Sequence, residues 1–308
     1  MGVKRRGAAP FDWLLAAYNL LMAAIWLALG SRTAVAPWIG VAHMAAAPLP
    51  LLLDRASLQS RGMRFARFAY PIACLGAFWS EVDPLRRALH PHAHDAFMRA
   101  LDAAVFGQSL HDTLMPTFPS LWVSEPLHFA YFAYYLAIGL PIVVLAVQGR
   151  QAALQEMYFR LMLAFIICYS LYAIFPVDGP QHTQSLFVGA PAAGVWYRVV
   201  HAINHAGGSL GAAFPSSHAA GAVSIAYCGW LFFRRPVALL MTLHAGAVVL
   251  ATCYTQYHYA IDSLAGLALA LVVQRWLAPG LLAHDWRPVQ LPVLPRVRWP
   301  VRASGGIP

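Results

Sequence analysis

Apolar residues in this chain come in long, nearly unbroken runs separated by short polar joints, rather than in the narrow stripes of half-buried elements. Runs at 11–29, 34–53, 65–80, 124–147, 157–175, 215–233, 237–256 and 258–277 approach or reach the required length for a membrane span, since a helix needs roughly 20 residues to cross a hydrocarbon core of about 30 Å. The pattern predicts an all-α polytopic membrane protein with about eight transmembrane helices. Pro37, Pro48 and Pro50 interrupt the second run and mark it as the least continuous. Two long connections, about 81–123 and 176–214, part the runs. The first contains HDAFMRALDAAVFG (94–107), whose apolar residues recur at helical spacing and predict an amphipathic or re-entrant helix along the interface.

Composition agrees with that pattern. Of the 308 residues, 60% are hydrophobic and only 11% charged, outside the range of a soluble domain. The net charge of +9 sits in short clusters between apolar runs, which argues against a nucleic-acid-binding module and suits anionic lipid headgroups. Cys74, Cys168, Cys228 and Cys253 all lie inside apolar stretches, without the spacing of a zinc site or a disulfide framework, and read as packing residues. Lys4, Arg5 and Arg6 precede the first run and Ala34-Val35-Ala36 resembles a cleavage site. The run at 11–29 is long for a signal-peptide core, however, and reads as a retained anchor.

The remaining arginines set an expected orientation. With the N-terminus in the cytoplasm, the inner segments hold Lys4, Arg5, Arg6, Arg55, Arg61, Arg64, Arg67, Arg150, Arg160, Arg234, Arg235, Arg275, Arg287, Arg296, Arg298 and Arg302. The outer ones hold Arg32, Arg86, Arg87, Arg99 and Arg198, a bias of the kind that fixes topology. Both long connections then face outwards. The expected setting is a bacterial inner membrane with a periplasmic site, or a lumenal site in a eukaryotic membrane.

Two segments carry chemistry. GGSLGAAFPSSHAAG (207–221) runs from a glycine-rich stretch through Pro215, Ser216 and Ser217 into an apolar helix. Either serine can cap that helix, and its first-turn N–H groups and dipole favour a phosphate, with Gly208 allowing close backbone approach. His218 then stands in the first turn, where an imidazole can protonate a leaving oxygen. The bland alternative is an ordinary helix start with an interfacial histidine. TQYHYAIDSLAG (255–266) places His258 and Asp262 four apart, on one helical face. A carboxylate that fixes one ring nitrogen leaves the other free as nucleophile or base; the alternative is a satisfied polar pair. Ionisable groups near a membrane span are costly and usually functional. The expected topology opens the helices after both histidines from the same outer face, so the two can share one pocket.

The PSSH and HxxxD pair resembles the type 2 phosphatidic acid phosphatase superfamily of membrane lipid phosphatases and phosphotransferases. Within it, LDAAVFG (101–107), LHFAYFAYYL (127–136) and FPVDGPQH (175–182) are similar to the inositol phosphorylceramide synthase, or aureobasidin-resistance, branch. The resemblance covers about 65–278. It implies a six-helix catalytic core there, two N-terminal transmembrane helices over 1–64, and a disordered, basic, proline-rich tail over 279–308. It further implies that His258 attacks phosphorus to give a phosphohistidine, that Asp262 supports it, and that His218 is the general acid, with no cofactor and no metal. The implied partners are a phospholipid or sphingolipid substrate and the membrane itself.

Two departures concern phosphate-binding cations. Ala251 and Thr252 stand where the phosphatases carry a Ser-Arg pair, and no lysine and arginine-proline motif precedes Pro176. Such losses favour a phosphodiester or transferase role over a plain phosphatase. Candidate replacements in substrate binding are Ser216, Ser217, Gly208, His182 and Arg198. Asp178, Gln181 and His182 are placed to support headgroup recognition. Tyr131, Phe132, Tyr134 and Tyr135 read as packing and interface residues. His90, His92, His94 and Asp95 include metal-ligand types but read as a solvated loop. From other classes, a non-catalytic transporter or lipid-binding scaffold is the rival reading, and a haem oxidoreductase a weaker one.

Overall fold

The computed structural model describes residues 8–56 and 60–283. The chain forms helices α1 (Pro10–Ala28), α2 (Ala36–Ala46), α3 (Leu49–Ala56), α4 (Arg61–Ser80), α5 (Val82–Leu89), α6 (Asp95–Phe106), α7 (Leu110–Thr117), α8 (Leu121–Val147), α9 (Gln151–Ile174), α10 (Pro180–Thr183), α11 (Val195–Gly207), α12 (Ser217–Phe232), α13 (Arg235–Tyr254), α14 (Ala260–Val272) and α15 (Ala278–Leu282). A π-helical turn, Val273–Leu277, joins the last two. Among the described residues the only extended pairing is an isolated bridge between Val177 and Ala212. The protein is an all-α polytopic membrane protein.

Among the described residues six stretches are long and apolar enough to cross a membrane: Pro10–Ala28, Ala36–Ala56, Leu121–Val147, Gln151–Ile174, Arg235–Tyr254 and Ala260–Leu282. The expected count of about eight includes two further helices that differ physically. Arg64 and Arg67 lie in the first turns of α4. α12 has 16 residues, a rise of about 24 Å, and lies inside the bundle. The expected break in the second run occurs at Ala47–Pro48, between α2 and α3. The two long connections are helical, holding α5, α6 and α7 in one and α10 and α11 in the other. The segment 94–107 forms α6 and ends at Gly107 in the left-handed region. Helix also continues past Pro279 to Leu282; residues 284–308, the rest of the expected tail, lie outside the described ones.

α9 is the most enclosed span, with 67% of its apolar window buried. Beside it, α12 is buried over nearly its whole circumference, from Ser217 to Gly229. Its run of small residues, Ala219, Ala220, Gly221 and Ala222, permits this, since membrane helices associate through close packing rather than hydrophobic exclusion. A Cβ on Gly221 would collide with Tyr134 Oη of α8, and one on Gly266 of α14 would collide with the Ser216 carbonyl. α8, α9, α13 and α14 therefore surround α12 at short range.

α1–α4 pack on the α9 side of this bundle and are tied by buried polar groups. Asp12 is fully buried and accepts from Arg67 and Tyr70. Glu81, capping α4, accepts from Trp26 Nε1 at 3.0 Å and lies 2.7 Å from His43 Nε2. His43 Nδ1 faces Asn19 Oδ1 at 2.8 Å.

Candidate active site

His218 enters the bundle because Ser216 caps α12, its hydroxyl accepting from Ala219 N at 3.3 Å. The approach to that cap is fixed on three sides. Ser216 N donates to the Asp262 carbonyl (2.9 Å), Tyr172 Oη donates to the Pro215 carbonyl (3.0 Å), and Ser217 N donates to Tyr172 Oη (3.2 Å). The Phe214–Pro215 peptide is cis. Two of the first-turn N–H groups expected to face a phosphate, those of Ser217 and Ala219, are engaged within the protein. Ser216 and Ser217 are buried and shape the helix start.

The His218 imidazole sits in an aromatic socket. Its ring stacks on Tyr131 at 4.6 Å and meets Tyr134 at 4.8 Å and Tyr135 at 6.0 Å. Tyr131 Oη lies 3.4 Å from His218 Nδ1. The tyrosines expected to serve only packing thus hold the ring.

His258 lies in the tight connection between α13 and α14. The Thr252 carbonyl accepts from both Tyr257 N and His258 N, at 3.2 and 3.0 Å, and Gln256 takes a left-handed φ of 61°. His258 Nδ1 donates to the Ala213 carbonyl at 2.9 Å. Asp262 Oδ2 stands 3.6 Å from the same nitrogen, outside hydrogen-bond range. The expected imidazole–carboxylate bond is therefore replaced by a backbone bond with the carboxylate alongside. Asp262 instead caps α14, Oδ2 accepting from Tyr259 N at 2.9 Å, while Oδ1 is buried without a partner. With Nδ1–H engaged, Nε2 carries the free lone pair.

The rings of His218 and His258 are 5.9 Å apart. Both line one narrow cleft with Trp79, Tyr131, Asp178, Gln181, Asn204, Gly208, Ser209, Ala212, Ala213 and Tyr257. Gly208 and Gln181 are thus at the cleft wall. His182 is exposed beside it, and Arg198 is exposed on α11 with Nε donating to its own Gly194 carbonyl. Neither is a cleft-lining residue. No lysine or arginine lines the cleft among the described residues. Arg86 reaches its wall through Asp178, Nη2 to Oδ2 at 2.8 Å, and the other oxygen of Asp178 accepts from Gly211 N at 2.8 Å. Thr252, in the position of the missing arginine, is buried with its hydroxyl 2.6 Å from that of Ser263.

The acids of the first long connection brace the cleft. Asp95 accepts from Asp178 N, Gly179 N and Tyr259 Oη at 2.9, 2.8 and 3.2 Å. Asp102 is fully buried and accepts from Ile261 N at 3.0 Å. The histidines of the same region engage locally: His90 Nε2 lies 2.9 Å from the Ala173 carbonyl and His94 stacks on Phe175 at 4.1 Å. Among the described residues no three His, Cys, Asp or Glu side chains are grouped as a metal site. Behind the cleft, Tyr257 Oη donates to His201 Nδ1 at 2.6 Å. Burial, followed by the neighbouring His128, pushes His201 down to about 4, which keeps the ring neutral and so leaves one nitrogen able to accept, and burial also raises Tyr257.

The model of the PAP2 superfamily matches residues 90–276, a span that contains both histidines and Asp262 and begins after α5. No curated protein and no solved structure matches the chain.

Proposed function

The chain belongs to the PAP2 superfamily, and on that premise we propose that it is a lipid phosphotransferase, similar to inositol phosphorylceramide synthases, working through a phosphohistidine at His258. Membership makes it a membrane enzyme of the phosphatase or phosphotransferase kind, acting on lipid substrates. The observation that carries the finer reading is the pair of imidazoles in one cleft, 5.9 Å apart by ring centroids. With both rings on one cleft, a phosphorus within reach of one imidazole can hold its leaving oxygen within reach of the other.

In the first step His258 Nε2 attacks phosphorus, the N–P bond forms, and the P–O bond to the departing alcohol breaks. His218 gives its proton to that oxygen. The imidazole of His258 becomes positively charged, Nδ1–H stays on the Ala213 carbonyl, and the Asp262 carboxylate 3.6 Å away counters the new charge. In the second step an acceptor hydroxyl attacks phosphorus while His218 takes its proton, and the N–P bond breaks. A lipid or sugar hydroxyl as acceptor makes the protein a transferase; water makes it a hydrolase.

A lining without lysine or arginine suits the single negative charge of a phosphodiester donor better than the two charges of a phosphomonoester. That favours transfer of a phosphorylated headgroup over plain phosphate release. The arginines at the opposite helix ends, Arg150, Arg234 and Arg235 among them, support a cleft on the non-cytoplasmic face.

Mass spectrometry of the products made by purified protein from mixed phospholipid and sphingolipid donors, with and without inositol-lipid and ceramide acceptors, tests this reading beside His258→Ala. A new phospholipid absent from the variant supports a transferase, and a free phosphorylated headgroup or free phosphate points to the hydrolase. Identical traces from both proteins would move a non-catalytic scaffold or transporter ahead.

A further inference from the structure

α1–α4 precede the part of the chain that matches the superfamily, yet one of their side chains stands in the cleft. Trp79, in the last turn of α4, lines it together with His218 and His258. Its Nε1–H donates to the Gly207 carbonyl at 2.8 Å, and its ring lies 6.3 Å from that of Tyr169. Gly207 leads directly into Gly208 and Ser209, two further wall residues, so the same bond fixes the indole and the wall segment beside it.

The end of α4 is in turn held by groups that take no part in the chemistry. Two residues beyond Trp79, the Glu81 carboxylate receives Trp26 Nε1–H and faces His43 Nε2. Asn19 orients the other face of His43, and its own amide is aimed by a bond from Nδ2 to the Leu15 carbonyl at 2.8 Å. Trp26 is fully buried, and Asn19 and His43 nearly so. Polar and ionisable groups inside a membrane bundle are costly to keep. Here their common effect is to fix the α4 end from which Trp79 projects. Arg32, in the α1–α2 turn, adds a bond to the Ala88 carbonyl of α5 at 3.0 Å.

We infer that Trp79 is a substrate-binding wall of the cleft, supplied by the N-terminal helices and positioned by the Asn19–His43–Glu81–Trp26 network, so that these helices complete the site as well as anchor it. The inference rests on the reading of the cleft as the reaction site. Trp79 contacts the bound donor, while His43 and Glu81 are positioning residues acting through it.

The test is steady-state kinetics of the full-length protein in detergent micelles, with dioleoyl phosphatidic acid and soybean phosphatidylinositol as donors. For the donor that is turned over, Trp79→Ala should raise KM about tenfold with kcat within about twofold, the mark of a lost binding contact. Trp79→Phe keeps an aromatic face and should recover most of that loss. His43→Gln and Glu81→Gln should move KM in the same direction and add little in the Trp79→Ala background, because the pathway is shared. An active wild type whose KM is unmoved by Trp79→Ala overturns the inference alone, as does additivity of His43→Gln with it. Should Trp79→Ala not fold, an unchanged KM in both His43→Gln and Glu81→Gln overturns it equally. A wild type inert on both donors, like His258→Ala, overturns the reading of the cleft itself.

Discussion

His258 Nδ1 is 2.9 Å from the Ala213 carbonyl oxygen, closer than it is to any oxygen of Asp262. A backbone group therefore fixes the imidazole tautomer, and the carboxylate is left to act through its charge. Asp262→Asn keeps an acceptor for Tyr259 N and leaves the Ala213 bond intact, so it should lower kcat by about 10- to 100-fold. His258→Ala and His218→Ala should cost at least about 100-fold each, as loss of a nucleophile or a general acid does. The check is kcat for the three variants under one assay. An Asp262→Asn protein as inactive as His258→Ala would mean that the carboxylate, not the carbonyl, holds the ring.

The approach of α14 to α12 at Gly266 sets how far apart the two histidines stand. A side chain there would meet the Ser216 carbonyl and, at 3.1 Å, the Ala219 Cβ. Both contacts lie at the start of the helix that carries His218. Gly266→Ala should destabilise the protein by about 1–3 kcal/mol, the usual cost of overpacking, and lower kcat because His258 and His218 move apart. Thermal unfolding in detergent and kcat should fall together; a fall in neither would show that α14 can shift freely.

The helices were legible because a bilayer demands long apolar runs, and the run boundaries fall within three residues of α1, α8, α12 and α13, whereas α9 starts six residues before its run and α14 gives way to the π-helical turn five residues before its run ends. The meeting of His218 and His258 was legible too, since two helices entered from one face by a hairpin must bring their first turns together. The rest of the site was hidden for a physical reason. Tyr131 and Trp79 reach the cleft through helix rotation and packing from positions more than 80 residues of chain away from either histidine, Asn204 reaches it from a separate helix, and an aromatic in an apolar run reads the same whether it faces lipid or substrate. The partner of His258 is a backbone carbonyl, which any residue at position 213 would supply. The two long connections looked like loops because Pro84, Pro91, Pro116 and Pro180 punctuate them. Their acids instead bond the backbone of 178–179 and 261.

Asp178 joins the cleft wall to Arg86 and to the turn at Gly211, whose φ is +81°. Both side chains of the ion pair are largely buried, with Arg86 13% and Asp178 15% exposed. Asp178→Ala leaves the guanidinium uncompensated and should cost about 3 kcal/mol, less than the full penalty of a wholly buried pair. Arg86→Met with Asp178→Ala should recover part of it, since neither charge then stands alone. Chemical or thermal unfolding of the single and double variants decides this, and a double variant as unstable as the sum of its singles would exclude the pairing as the cause.

His201 gives the fold a pH dependence whose sign can be worked out. Its folded-state value is pushed down to about 4, by burial first and by His128 second, whereas an unfolded histidine titrates near 6.5. Between those values the unfolded chain binds a proton that the folded one does not, so the contribution to stability is complete above about pH 6.5 and is lost as pH falls towards 4. Protonation would also force Nδ1 to carry a hydrogen against the Tyr257 hydroxyl that now donates to it, loosening a cleft residue adjacent to His258. Wild type should therefore melt at a lower temperature at pH 5 than at pH 7.5, and His201→Gln, whose amide oxygen still accepts from Tyr257, should show a smaller difference between the two. Equal pH dependence in the two proteins would assign the titration to another group and leave the Tyr257–His201 bond as a purely structural one.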